Sequence, residues 1–173
     1  MQPTYTSSRI LLPVRPWFVF FSLFCALLLN FLPTSHWPGV PDWVALVLCF
    51  WSVRESRYIG MGWAFICGIA MDVADGAILG QHALAYILLA YGASQLSRRI
   101  LWFPLAQQAL HVMPLLVMAQ VIPVLIRLLT GADFPGWGYF ISPFVASTLW
   151  VPATFVLLLP QYQPLEQDPD RPI

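Results

Sequence analysis

The chain has 173 residues, of which 59% are hydrophobic and only 9% charged, with eight basic and eight acidic side chains. Mean hydropathy is +0.72, and so little polar surface cannot clothe a soluble domain of this size. The balanced charge, with no basic run longer than Arg98-Arg99, argues against a nucleic-acid binder.

Apolar segments of helix length follow one another at about 16–33, 40–53, 59–79, 82–97, 104–129 and 139–160. A membrane-spanning helix needs ~20 residues, with ~17–25 the usual range. The expected fold is therefore an all-α polytopic membrane protein with six transmembrane helices, forming one domain over residues 1–160. The first segment lacks a small-residue cleavage site and reads as a retained span. The second is short and opens on Pro41-Asp42. The fifth is long and carries Pro114 and Pro123, which predicts a kink or tilt. Residues 161–173 are polar and proline-rich and are expected to form a disordered tail.

Arginine placement sets the expected orientation. Arg9, Arg15, Arg54, Arg57, Arg98, Arg99 and Arg171 fall before span 1, in alternate connections and in the tail. The positive-inside rule makes that side cytoplasmic and places both termini inside. Arg127 is the exception, near the outer end of span 5. All eight basic residues are arginine, a bias that a GC-rich genome would produce. Trp17, Trp51, Tyr58, Trp63, Trp102 and Tyr162 would lie near the inner interface, and Trp37, Trp43, Trp137 and Tyr139 near the outer one, as aromatic belts do.

The densest signal is the stretch GMGWAFICGIAMDVADGAILG at 60–80. Gly60, Ala64, Gly68, Asp72, Gly76 and Gly80 recur every four residues, which on one helix makes a stripe drifting ~40° per step. Small residues at this spacing admit a close second helix. A carboxylate among them is too costly in lipid to lack a partner or a role. Asp72 would lie roughly 20 Å into a span that starts near Ile59, with Asp75 close to its outer boundary. Paired-aspartate proteolysis needs carboxylates on opposite sides of a substrate; these two are three residues apart, and no further acidic residue is read inside a span. An ion relay lacks a chain of further acids. The favoured reading is that Asp72 hydrogen-bonds neighbouring helices or caps a broken one.

The run GAILGQHA at 76–83 predicts a tight outer turn, with Gly80 ending a helix. His82 has no ligand-spaced partner on its own helix, so a structural hydrogen bond is favoured. In span 5, Gln120 and Arg127 share a face, and Gln107 and His111 share another. Arg127 could pair with Asp72 or Asp75. Cys25, Cys49 and Cys67 have no metal-ligand spacing and read as small buried hydrophobes. No phosphate loop, nucleophile elbow or metal-ligand cluster is present in the sequence; the chain is not read as an enzyme, and neither a metal nor a cofactor is expected.

The pattern Gly68-x3-Asp72-x3-Gly76-x3-Gly80-x-His82-Ala83-Leu84 resembles the central signature of the MreD family of bacterial rod shape-determining membrane proteins. Gln107-Gln108-Ala109-Leu110 in span 5 and Leu149-Trp150 with Pro152 in span 6 are similar, more weakly, and the likeness in length and hydropathy covers nearly the whole chain. The resemblance implies a non-catalytic scaffold of the bacterial inner (cytoplasmic) membrane, needed for rod shape and lateral peptidoglycan synthesis. It implies an MreC-like single-span partner, with MreB, RodZ, RodA and the elongation penicillin-binding transpeptidase as further partners, and a fold resembling the substrate-binding component of energy-coupling vitamin transporters. Gly60, Ala64 and Gly68 become the first candidates for contact with the MreC-like anchor, packing against the chain's own helices being the equal alternative. The rival function is the small-ligand-binding component of a transporter. The outer loops offer it little polar chemistry beyond Thr34, Ser35 and Asp133.

Overall fold

The computed structural model describes residues 14–32 and 39–161. The 161–173 tail, apart from Gln161, lies outside them, as do Arg9, Thr34, Ser35, Trp37 and Arg171. Six α-helices follow in order: α1 (Pro16–Phe31), α2 (Trp43–Arg54), α3 (Met61–Ala74), α4 (Gln81–Leu101), α5 (Leu105–Leu129) and α6 (Ser142–Leu158). Short 3-10 turns, Trp137–Ile141 and Leu159–Gln161, extend α6 at both ends. Each apolar segment of the sequence thus forms one helix, and among the described residues there is no strand.

Two of these elements, Leu105–Leu129 and Trp137–Gln161, are long and apolar enough to cross a membrane. The 59–79 segment is helical only as far as Ala74, because Gly76 (φ +59°) and Gly80 (φ +102°) take left-handed conformations and break the run. The stripe of six expected on one helix is therefore shorter. Ala64, Gly68 and Asp72 lie within α3, Gly60 is its N-cap, and Gly76 and Gly80 belong to the turn beyond it. Gly80 precedes α4 as its N-cap instead of ending α3.

Helices α2 and α4 form the interior. Nine residues of α2, from Val44 to Val53, are buried, so this 12-residue helix, ~18 Å long, is covered by protein on nearly every side. It packs against α1, α4, α5 and α6, while α4 packs against α2, α3 and α5. Aromatic edges lock the centre: Trp51 meets Phe18 and Phe50, and Phe50 meets Trp150. Trp51 is wholly buried, and its indole N–H donates to Ser22 Oγ at 2.8 Å, satisfying the one polar atom that an interior tryptophan brings.

On α1, Val19, Ser22, Leu23 and Ala26 face inward, while Trp17, Phe21, Phe24, Leu28 and Phe31 are exposed. The same holds on α5, where Leu110, Val121, Leu125 and Leu129 are exposed. Apolar faces of this extent need a non-aqueous neighbour. Cys25, Cys49 and Cys67 are free thiols, the last two buried. The α5 helix continues through both Pro114 and Pro123.

Candidate functional site

The last turn of α3 and the first turn of α4 are tied by Asp72. This side chain is wholly buried. Its Oδ2 accepts from the Gly80 N–H at 2.7 Å, and its Oδ1 accepts from the His82 N–H at 2.9 Å. The His82 ring places Nδ1 2.8 Å from the same Oδ1. The first backbone N–H groups of a helix have no intrahelical acceptor, so a carboxylate from the preceding helix supplies the cap that Gly80, lacking a side chain, cannot. The loop closes on itself too, since Ala77 N–H donates to Asp72 O at 2.9 Å. With Nδ1 spent on Asp72, the other ring nitrogen of His82 faces Asp75 Oδ2 at 3.9 Å. Asp75 itself is exposed.

Close approach of the two helices makes this reach possible. A Cβ built on Gly68 would stand 2.2 Å from Ala83 Cα and 2.5 Å from Ala83 N. Those are backbone atoms, so only glycine lets α3 and α4 approach this closely. The small-residue spacing is used here within one chain. Gly68 packs against α4, and Ala64 is wholly buried in the core. Gly60 differs, being exposed with open space around its Cβ position.

A second polar centre sits beside the first. Asp42 caps α2, accepting from Ala45 N–H at 2.9 Å. Its Oδ1 also accepts from Asn30 Nδ2 at 2.8 Å, and its Oδ2 accepts from the Tyr86 hydroxyl at 2.7 Å. Asn30 completes the joint by accepting from Trp43 N–H at 2.9 Å. One carboxylate thus fastens the end of α1, the start of α2 and the first turns of α4. Apolar periodicity singles out neither Asn30 nor Tyr86, and marks Asp42 only as the start of a segment. The available signal was an aspartate before an apolar run, together with an asparagine near the end of another.

Between these centres lies a cavity of about 40 Å³, lined by Asp42, His82, Gln120, Tyr139 and Ser142 among smaller apolar side chains. Gln120 Nε2 donates to Tyr139 O at 2.9 Å, joining α5 to the turn before α6. Arg127 does not pair with Asp72 as the shared depth suggested. The buried carboxylate takes His82 as its partner instead, and Asp75 lies 3.9 Å from the other nitrogen of the same ring. Arg127 is exposed, and its carbonyl accepts from Ala132 N–H at 3.0 Å, closing the end of α5. His111 turns to its own helix, its Nδ1 lying 2.8 Å from Gln107 O. Gln108 Oε1 lies 3.4 Å from the Trp150 indole nitrogen, so two of the weaker sequence likenesses meet in space.

The site is one of structural joints: a buried carboxylate, Asp72, and a half-buried one, Asp42, spent on helix starts and turns, inside an all-helical bundle with large exposed apolar faces. That combination defines a membrane-associated helical protein. A family model described as rod shape-determining protein MreD matches residues 8–160. Over 155 residues the chain is 28% identical to the rod shape-determining protein MreD of Haemophilus influenzae, a match covering 84% of this chain and 91% of that protein. No solved structure matches. The chain belongs to the MreD family, and its role is in determining rod shape.

Proposed function

We propose that the protein is a non-catalytic, multi-pass scaffold of the inner membrane, with six spans and both termini cytoplasmic, that supports lateral wall synthesis by binding an MreC-like single-span partner. The observation that carries this reading is the complete commitment of Asp72 to turn backbone and His82. A group so engaged is a fastener, and a general acid or base would need a free face toward a substrate. The orientation is supported by the placement of the arginines. Asp42 and Tyr86 meet at one end, so α2 and α4 run in parallel, and Arg54, Arg98 and Arg99 lie toward their opposite ends.

The transport reading is weaker. Small-molecule sites occupy ~300–1,000 Å³ with a few convergent polar groups, whereas the polar cavity here is about 40 Å³. A larger groove of about 410 Å³ between α1, α2 and α6 has an almost wholly apolar lining. The likeness to the substrate-binding component of vitamin transporters would be one of fold alone. MreB, RodZ, RodA and the elongation transpeptidase remain proposed members of the same assembly. Gly60, with open space and exposure, is the remaining small-residue candidate for the anchor contact.

The test joins depletion to capture. Depleted cells should round up with lateral wall synthesis failing first, and the tagged protein should recover the MreC-like anchor from solubilised membranes. Rod-shaped depleted cells with no anchor recovered would reject the scaffold.

A further inference from the structure

We propose that the cavity between α2, α4, α5 and the start of α6 binds a small monovalent cation, either a sodium ion or a hydrated proton. The cavity of about 40 Å³ has room for a water-sized guest, which needs ~10–15 Å³, and none for an organic ligand. Its polar lining is rich in acceptors. Asp42 Oδ2 carries a single described hydrogen bond, from Tyr86, and a carboxylate oxygen has capacity for a second. Gln120 spends its Nε2 on the Tyr139 carbonyl, so its Oε1 is the end left over. That carbonyl also takes the Ser142 N–H. Ser142 is only 6% exposed, lines the cavity, and its hydroxyl forms no hydrogen bond to a described residue. That hydroxyl is therefore free to bond a guest in the cavity.

The charges favour a monovalent guest. Asp42 is the one carboxylate in the lining. Divalent ions want several carboxylates and six or more oxygens. The other charged or titratable groups nearby are spoken for or outside. Asp72 is held by His82 on α4, Asp75 lies at the α3 end facing the His82 ring, Tyr86 donates to Asp42, Tyr139 lies in the turn before α6, and Arg127 is exposed one turn beyond the cavity-lining Pro123.

The experiment uses the full chain purified in detergent. Thermal unfolding is followed in sodium chloride against choline chloride at equal ionic strength, at pH 7.5 and at pH 6, for the wild type, Ser142→Ala and Ala119→Val. Ser142→Ala removes a hydroxyl that bonds nothing in the protein, and Ala119→Val adds carbon to the cavity wall, so the two test the site by different routes. For a bound sodium ion, the wild-type midpoint rises on the order of 5 °C at saturating sodium, and both variants lose the rise while unfolding cooperatively. For a hydrated proton, sodium has no effect, and the drop to pH 6 stabilises the wild type relative to both variants. Identical midpoints in sodium and choline, with the same pH response in all three proteins, would overturn the proposal and leave the cavity to neutral water. Should either variant fail to fold, radioactive sodium bound by the wild type and displaced by acid supports the sodium ion, and no bound sodium together with no stabilisation of the wild type at pH 6 overturns the proposal.

Discussion

Asp42 and Asp72 both organise the start of a helix, but by different routes. As a cap, Asp42 works locally, taking the N–H of Ala45 three residues on at the start of α2, and its bonds to Asn30 and Tyr86 then reach two other helices. Asp72 works across a loop, taking N–H groups eight and ten residues on, at the start of the next helix. The local cap would form in almost any context. The long-range one needs a chain that turns sharply at Gly76 and Gly80 and two helices close enough for Gly68 to touch Ala83. The Ala45 cap fixes where α2 begins, the Asn30 and Tyr86 bonds of Asp42 tie α1 and α4 to that point, and the Asp72 joint fixes how the consecutive helices α3 and α4 sit against each other. The dependence runs both ways, since the joint is only as good as the approach that Gly68 permits.

Breaking the approach should cost most. Gly68→Leu puts side-chain atoms where Ala83 backbone stands, and α3 and α4 must separate. The loss should match or exceed the ~3 kcal/mol at the upper end of ordinary overpacking, and will read as near-absence of folded protein in membranes by fluorescence-detected size exclusion. Asp42→Ala removes a cap worth ~0.5–2 kcal/mol and leaves Asn30 Nδ2 and the Tyr86 hydroxyl without this acceptor. A loss of about 2–4 kcal/mol is expected, measured as a lowered unfolding midpoint. Gly80→Ala sharpens the contrast with the smallest effect. At φ +102° any side chain is strained by ~1–3 kcal/mol, although no neighbour lies within 4 Å of the added Cβ. Its midpoint should fall less than that of Asp42→Ala, and an equal or larger fall would mean that the loop sets the joint more than the carboxylates do.

Much of this architecture is legible in the sequence. Hydropathy located all six helices, because an apolar run of helix length has few alternatives when water cannot satisfy its backbone. It could not find where α3 stops. Gly76 and Gly80 continue the four-residue spacing, and only their positive φ angles show that they belong to a turn. Asp72 and His82 were both picked out, each as a structural hydrogen-bonding group, but their pairing was missed. By charge and depth Arg127 could pair with Asp72 or Asp75. The turn instead brings His82 back onto the carboxylate, a consequence of loop geometry that one-dimensional spacing does not encode. The Asn30–Asp42–Tyr86 joint was missed for a similar reason. Its members are 12 and 44 residues apart and lie on three helices.

The sharpest comparison is Asp72→Asn against Asp72→Leu, scored by rescue of rod shape in depleted cells with membrane levels of each protein quantified. An amide oxygen can still accept from the His82 N–H, whereas leucine leaves the Gly80 and His82 donors unpaired at ~1–3 kcal/mol each. If Asp72 is a structural fastener, Asp72→Asn restores most rod shape at near-normal levels and Asp72→Leu fails with reduced levels. Asp72→Asn failing as completely as Asp72→Leu while both accumulate normally would mean that the negative charge itself is required, and the fastener role would be wrong.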